Sequence, residues 1–231
     1  NPGVDAFLKN DMDYLSDKNT VLIANIAGSC EEDYIKICEK LNYSNIDMIE
    51  LNISCPNVKC GGAAFGTDAK TAEHITKVVR NVCKKPLIVK LSPNVTDITE
   101  IAKAVENAGA DSVSLINTLL GMQIDVKTRK PVLHNNIGGY SGKGVFPVAL
   151  RMVWQVANTV KIPVIGLGGI ETTDDALQML LAGASAIQIG TAMFTNPYTP
   201  IKIVREINDY LDQNNIKWIY DIIGKVTPYN I

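Results

Sequence analysis

The segment LNISCPNVKCGG, residues 51–62, sets two side-chain amides, Asn52 and Asn57, on either side of the Cys55 thiol, with Pro56 between them. A thiol has an ordinary pKa of about 8.5 and takes up a proton far more readily than a serine oxygen could. Two flanking amides are suited to orienting a planar polar ring. As a nucleophile Cys55 would want a histidine partner, but only His74 and His134 exist, and neither lies near the end of one of the six main apolar runs. The pattern therefore favours Cys55 as a general base, the alternative being an inert loop cysteine. Cys60 shares the segment without flanking amides and reads as a neighbour. Cys30, Cys38 and Cys83 read as packing residues, His74 as a helix-surface residue, and Trp154 and Trp218 as packing.

Other polar or side-chain-free residues occupy equivalent positions. Asn25, Asn52, Lys90, Asn117 with Thr118, Gly168 with Gly169, and Gly190 with Thr191 each close an apolar run. Lys90, in LIVKLSP, would cost several kcal/mol if buried unpaired, so it should face an anion or an electron-rich acceptor; the alternative is a frayed strand end. A phosphorylated cofactor with an electron-accepting ring suits it. GLGGI and QIGTA offer backbone N–H groups free of side chains, which bind phosphate, unless the glycines serve tight turns alone. Glu50 points to the same side as Asn52 by strand alternation, and its role stays open.

The elements that must position these residues are six apolar runs, at 21–28, 48–54, 86–92, 112–118, 163–169 and 186–192. Helical periodicity lies between them. In TDITEIAKAVENAGA, Ile98, Ile101, Ala102 and Val105 share a face, Asp97 and Glu100 have capping-box spacing, and Gly109 stands where a C-cap is expected. AGADSV and AGASAI repeat one helix-stop, strand-start phrase. Near-continuous apolar strands alternating with helices imply a parallel sheet. An open doubly wound sheet would usually show GxGxxG after its first strand, and none is present. The alternative is a (β/α)8 TIM barrel, which needs eight units and about 250 residues. With six units visible and a start at Asn1-Pro2-Gly3, the economical reading is one barrel domain, 1–231, N-terminally incomplete, its first two βα units missing. Two connections exceed plain turns: 55–67, and 119–146, where Ile124–Val126 is expected to pair with Pro131–Leu133.

The formal net charge of −2 suggests neither a nucleic acid nor an anionic membrane as partner. No apolar run reaches the ~18 residues of a membrane span. Five cysteines without CxxC spacing argue against a disulfide framework or a metal site, and fit the cytoplasm.

ELNISCPNVKCGGAAFGTD, VKLSPNVTDI, INTLLG, GGYSGKGVFPVALR, IGLGGI and QIGTAMF resemble the dihydroorotate dehydrogenase family, closest to the catalytic subunit of its class 1B. The resemblance spans essentially the whole chain with the motif order kept. It implies FMN-dependent oxidation of (S)-dihydroorotate to orotate in pyrimidine synthesis, with Cys55 removing the C5 proton while hydride leaves C6 for the flavin. It implies Asn52, Asn57, Asn117 and Thr118 around the substrate. Asn25, Asn52, Lys90, Ile116 and Gly142 would contact the flavin ring or ribityl chain, and Gly168, Gly169, Gly190 and Thr191 its phosphate. It also implies a partner subunit bearing FAD and a 2Fe-2S cluster, in a heterotetramer of two of each, that passes electrons to NAD. A dihydropyrimidine dehydrogenase-like flavin domain and a non-catalytic phosphate-ligand-binding barrel are the rival readings.

Overall fold

The structure, a computed structural model, describes residues 2–54 and 65–229. The chain divides into two compact units, Asn1–Leu91 with Glu100–Val113, and Ser92–Thr99 with Ser114–Ile231. In the first unit, helices α1 (Val4–Asn10) and α2 (Met12–Ser16) precede an alternation of β1 (Ile23–Ile26), α3 (Glu31–Leu41), β2 (Met48–Asn52), α4 (Ala69–Val82) and β3 (Leu87–Lys90). Helix α5 (Ile98–Asn107) and strand β4 (Ser112–Leu115) then run from one unit into the other.

Strands β1, β2 and β3 pair in parallel, with Asn25 opposite Glu50 and Asn52 opposite Lys90. Strands covered on both faces are apolar along their length rather than alternating. Accordingly Ile49 and Leu51 of β2, and Leu87, Ile88 and Val89 of β3, are buried; Glu50 is the charged exception in β2. Helix α4 turns Ala72, Ile75, Thr76 and Val79 inward, a stripe at helical spacing. Burying Ile75 or Val79 fully stabilises the fold by about 1.5–3 kcal/mol each. Helix α4 starts at Asp68, whose Oδ1 accepts the Thr71 N–H at 3.0 Å. Tyr34, Cys38 and Leu41 form the buried stripe of α3. Cys83 is also buried, whereas Cys30 precedes α3 and is half-buried. His74 lies exposed on α4, 2.7 Å from Glu31.

The repeated AGA phrase folds as expected. After α5, Gly109 (φ 95°) sends its N–H to Glu106 O, and Ala110 sends its N–H to Val105 O. After the helix that ends at Leu181, Gly183 (φ 113°) bonds to Leu180 O, and Ala184 to Met179 O. Both are Schellman stops, in which a residue without Cβ takes the left-handed conformation and the last carbonyls find donors. Asn215 (φ 55°) closes the helix that ends at Gln213 with the same bonds, its N–H on Asp212 O and the Ile216 N–H on Leu211 O.

The second unit continues through β5 (Leu119–Gly121), β6 (Ile124–Asp125), β7 (Lys130–Pro131) and β8 (Gly138–Tyr140). Helix α6 (Phe146–Ala157), β9 (Val164–Leu167), α7 (Thr173–Leu181), β10 (Ala186–Gln188), α8 (Ala192–Thr195) and α9 (Thr199–Gln213) follow. The expected hairpin in the long connection is present but shorter, with Ile124 opposite Pro131 and Asp125 opposite Lys130. It stops there because Asp125 Oδ1 accepts the N–H groups of Lys127 and Thr128, turning the chain out of the strand at Val126. Strand β5 pairs antiparallel with β8, and β9 pairs parallel with β10. Leu177, Leu180 and Ile222 form a core between α7 and the C-terminal segment, with Ile207 and Tyr210 of α9 packed against it.

Two packing expectations need correction. Trp154 is 39% exposed and Trp218 59% exposed. The buried stripe of α6 runs through Ala149, Met152, Val153 and Val156, and Trp154 falls outside it. Trp218 lies beneath the Lys217 ammonium rather than inside a core. Among the described residues, no helix is long and apolar enough to cross a membrane.

Candidate active site

Three strand ends of the first unit bring charged and amide groups together. Asn25 on β1 donates its Nδ2–H to Glu50 Oε2. The Lys90 ammonium lies 3.6 Å from the same oxygen, with side-chain exposures of 17% for Lys90 and 5% for Glu50. Two residues along β2 from Glu50, Asn52 accepts the Ser54 N–H on its Oδ1 at 3.1 Å, and its carbonyl accepts the Tyr34 hydroxyl at 2.8 Å. Ser54 in turn donates its hydroxyl to Lys90 O at 3.1 Å, joining the ends of β2 and β3. The expected residues Asn25, Asn52 and Lys90 are thus neighbours. Cys55 and Asn57, the expected base and second amide, lie outside the described residues, as does Cys60.

In the second unit, Ile116 follows β4 and donates its N–H to Leu167 O at 2.9 Å, tying the ends of β4 and β9. Asn117 Oδ1 accepts the Thr118 N–H at 2.8 Å. Asn94 clamps the same turn, its Nδ2–H on Thr118 O at 2.9 Å and its Oδ1 receiving the Leu120 N–H at 3.0 Å.

The expected phosphate residues meet in one place, with one addition. Gly168 (φ 122°) and Gly169 (φ 73°) follow β9 in a conformation that favours glycine. A Cβ on Gly168 would come within 2.8 Å of Ala149 Cβ and 3.2 Å of Ile116 Cγ1; one on Gly169 would come within 2.7 Å of Gly142 O. Gly142 (φ 93°) in turn lies beside Thr191, whose hydroxyl donates to Ser141 Oγ at 2.9 Å. Gly190 differs from the others, because a Cβ there would meet nothing within 4 Å. Gly190 therefore presents a bare, accessible backbone, and the exposed Thr191 that follows it lies beside Gly142. That donor set fits a phosphate group, which backbone N–H groups and a hydroxyl bind without charge.

Asp175 is the addition, and sequence reasoning missed it. Its buried carboxylate accepts the N–H groups of Glu171 (3.1 Å) and Thr172 (3.0 Å) and the Lys143 ammonium. Thr172 Oγ1 accepts the Asp175 N–H at 3.2 Å, completing a capping box at the start of α7. One carboxylate so joins the segment after Gly169 to the segment after Gly142. Burial pushes its pKa up, but the hydrogen bonds from Lys143, Glu171 and Thr172 outweigh that and hold it below the ordinary value. TxxD before an apolar run was visible in the sequence as a helix start; the partnership with Lys143 was not. Glu50 and Asn94 were likewise readable as strand-end neighbours, but their partners were not.

The chain matches the family model described as dihydroorotate dehydrogenase over residues 1–211. It is 56% identical over 226 residues to dihydroorotate dehydrogenase B (NAD(+)), catalytic subunit, of Alkaliphilus oremlandii (strain OhILAs), covering 98% of this chain and 75% of that protein. The protein of the same name from Phocaeicola vulgatus is 57% identical over 225 residues, covering 97% of this chain and 74% of the relative. That from Brachyspira hyodysenteriae is 54% identical over 226 residues, with 97% and 74% covered. The strand–helix units on these residues are accordingly those of a partial (β/α)8 barrel. With Asn25, Asn52 and Lys90 gathered at three strand ends, and with this match along nearly its whole length, the chain belongs to the dihydroorotate dehydrogenase family.

Proposed function

We propose that this chain is the FMN-binding catalytic subunit of an NAD-linked dihydroorotate dehydrogenase, oxidising (S)-dihydroorotate to orotate in pyrimidine synthesis. The observation that carries the reading is the Lys90 ammonium, held at the end of β3 opposite Asn52 and largely withdrawn from water. A sequestered cation there stabilises negative charge developing on an electron-accepting ring. The names of the relatives support the NAD-linked form.

Asn25, Asn52, Lys90, Ile116 and Gly142 hold the ring and ribityl chain of FMN in this reading, and Gly168, Gly169, Gly190 and Thr191 its phosphate. Bound FMN supplies a two-electron acceptor for the hydride from substrate C6. Cys55 takes the C5 proton, so that C5 and C6 are left joined by a double bond. Asn52, Asn57, Asn117 and Thr118 orient the substrate through its ring amides and carboxylate. The words "catalytic subunit" in the relatives' names support a partner; we take it to be an electron-transfer subunit with FAD and a 2Fe-2S cluster, two copies of each chain assembling in the cytoplasm.

Anaerobic mixing tests the reading. The purified protein should carry flavin absorbance that bleaches with dihydroorotate and returns with orotate. Bleaching by dihydrouracil instead would favour a dihydropyrimidine dehydrogenase-like enzyme, and a folded, colourless protein that takes up no FMN would favour a non-catalytic barrel.

A further inference from the structure

We infer that Glu50 is a positioning residue that sets the reduction potential of the bound cofactor, by holding the Lys90 ammonium and the Asn25 amide in place while offsetting the Lys90 charge. The inference rests on the reading of Lys90 and Asn25 as cofactor contacts. Glu50 is a carboxylate, 5% exposed at its side chain, in a strand whose neighbours Ile49 and Leu51 are fully buried. Stability alone does not call for it there. Apolar residues in place of a buried ion pair are often neutral or stabilising, whereas one charge left without its partner is strongly destabilising. What Glu50 does instead is engage the two proposed cofactor contacts on the strands either side, Asn25 on β1 and Lys90 on β3, through one oxygen, Oε2.

The chemistry of the three groups fixes their orientations. A carboxylate only accepts hydrogen bonds, so Asn25 must turn its Nδ2 to it, and Asn25 Oδ1 is thereby directed away from Glu50, able to accept an N–H from a ligand. Lys90 is drawn to Glu50 at 3.6 Å, longer than a direct hydrogen bond. The ammonium is thus located by the anion while keeping donors for a second acceptor. A bound flavin would supply the acceptor for a hydride, two electrons with one proton, and would thereby gain one negative charge near Lys90, while the substrate's other proton would go to the base. The pull of Lys90 on that charge is reduced by the anion beside it. Glu50 therefore sets how strongly the reduced state is favoured.

Potentiometric titration of the FMN-loaded protein against reference dyes tests this. Glu50→Gln keeps the shape and removes the charge, and its potential should rise. The expected change is a tenfold or larger gain in the reduced-to-oxidised ratio, about 30 mV for a two-electron couple. Lys90→Met should shift the potential the opposite way. Glu50→Asp, which keeps the charge, should stay near the wild type. If Glu50→Gln does not fold, the double variant Glu50→Gln/Lys90→Met decides, since its potential should lie closer to wild type than that of Lys90→Met alone. FMN-loaded Glu50→Gln with a wild-type potential, or a double variant no different from Lys90→Met, overturns the inference alone. A folded wild-type protein that takes up no FMN overturns the proposed function and the inference together.

Discussion

Asn52 and Lys90 are register partners across the parallel pairing of β2 and β3, and the Ser54 hydroxyl fastens the pair by donating to Lys90 O. An amide and an ammonium are thereby set side by side at the carboxyl ends of two strands, where barrel enzymes build their sites. In the sequence, β2 is followed after Ile53 and Ser54 by Cys55.

If Cys55 is the proposed base, Cys55→Ala should keep FMN and lose turnover, because in that role the thiol acts on the carbon acid and not on the cofactor. A positioned general base contributes roughly 10²–10⁴-fold, and the drop in kcat at unchanged flavin content should fall in that range. Cys55→Ser should retain partial activity that improves as pH rises, since the alcohol is the poorer base. Wild-type kcat in Cys55→Ala would remove Cys55 from the mechanism.

Lys90→Met should destabilise the cofactor-free protein, because it leaves the Glu50 carboxylate buried beside Asn25 without its cation. Breaking such a pair costs on the order of 3 kcal/mol. Urea unfolding should show the loss, and Glu50→Gln/Lys90→Met should recover much of it. Additive losses in the double variant would show that the two side chains are not coupled.

Gly190→Ala and Gly169→Ala should fail in different ways. Gly169 adopts φ 73° and an added Cβ would press on Gly142 O, so that variant should unfold at lower temperature, by about 1–3 kcal/mol of strain. Gly190 has open space, so its variant should melt like the wild type without cofactor yet bind FMN at least tenfold more weakly. Calorimetry of the cofactor-free proteins, followed by FMN titration, separates the two. Equal affinity in Gly190→Ala would place the phosphate elsewhere.

Asp175 should make the second unit acid-sensitive. Its folded pKa lies below the unfolded value, about 3.9. Its contribution is therefore present above about pH 4 and fades as pH falls below that toward the folded pKa. Asp175→Asn should lower stability at pH 7 by about 1–3 kcal/mol through the lost cap and the lost Lys143 partner. The gap to wild type should narrow in acid, as read by urea titrations at pH 7 and near pH 3.5. A gap independent of pH would mean that the charge of Asp175 contributes nothing.

Much of the scaffold was legible because its signals are local. The Gly109 and Gly183 stops, the buried stripe of α5 and the hairpin near Asp125 follow from periods and turn residues within a few positions of one another. Candidate site residues could be named for the same reason, since each stands toward the end of an apolar run; strand order and register then make Asn25, Asn52 and Lys90 neighbours. The Trp154 expectation failed because a large apolar residue implies burial only when its helical face is turned inward, and the stripe of α6 passes beside it.

By itself the sequence determined which residues stand at the strand ends, where helices stop, and which family the chain resembles, since all of these are written in short-range spacing and residue type. Only the tertiary structure decided the partners. Glu50 meets Asn25 because the β1–β2 register places them opposite, Asp175 meets Lys143 across 32 positions of sequence, and Asn94 holds the turn at Thr118 across 24. Such pairings depend on strand register and on the course of the loops, which no local period encodes, and they settle which buried charge is neutralised and by what.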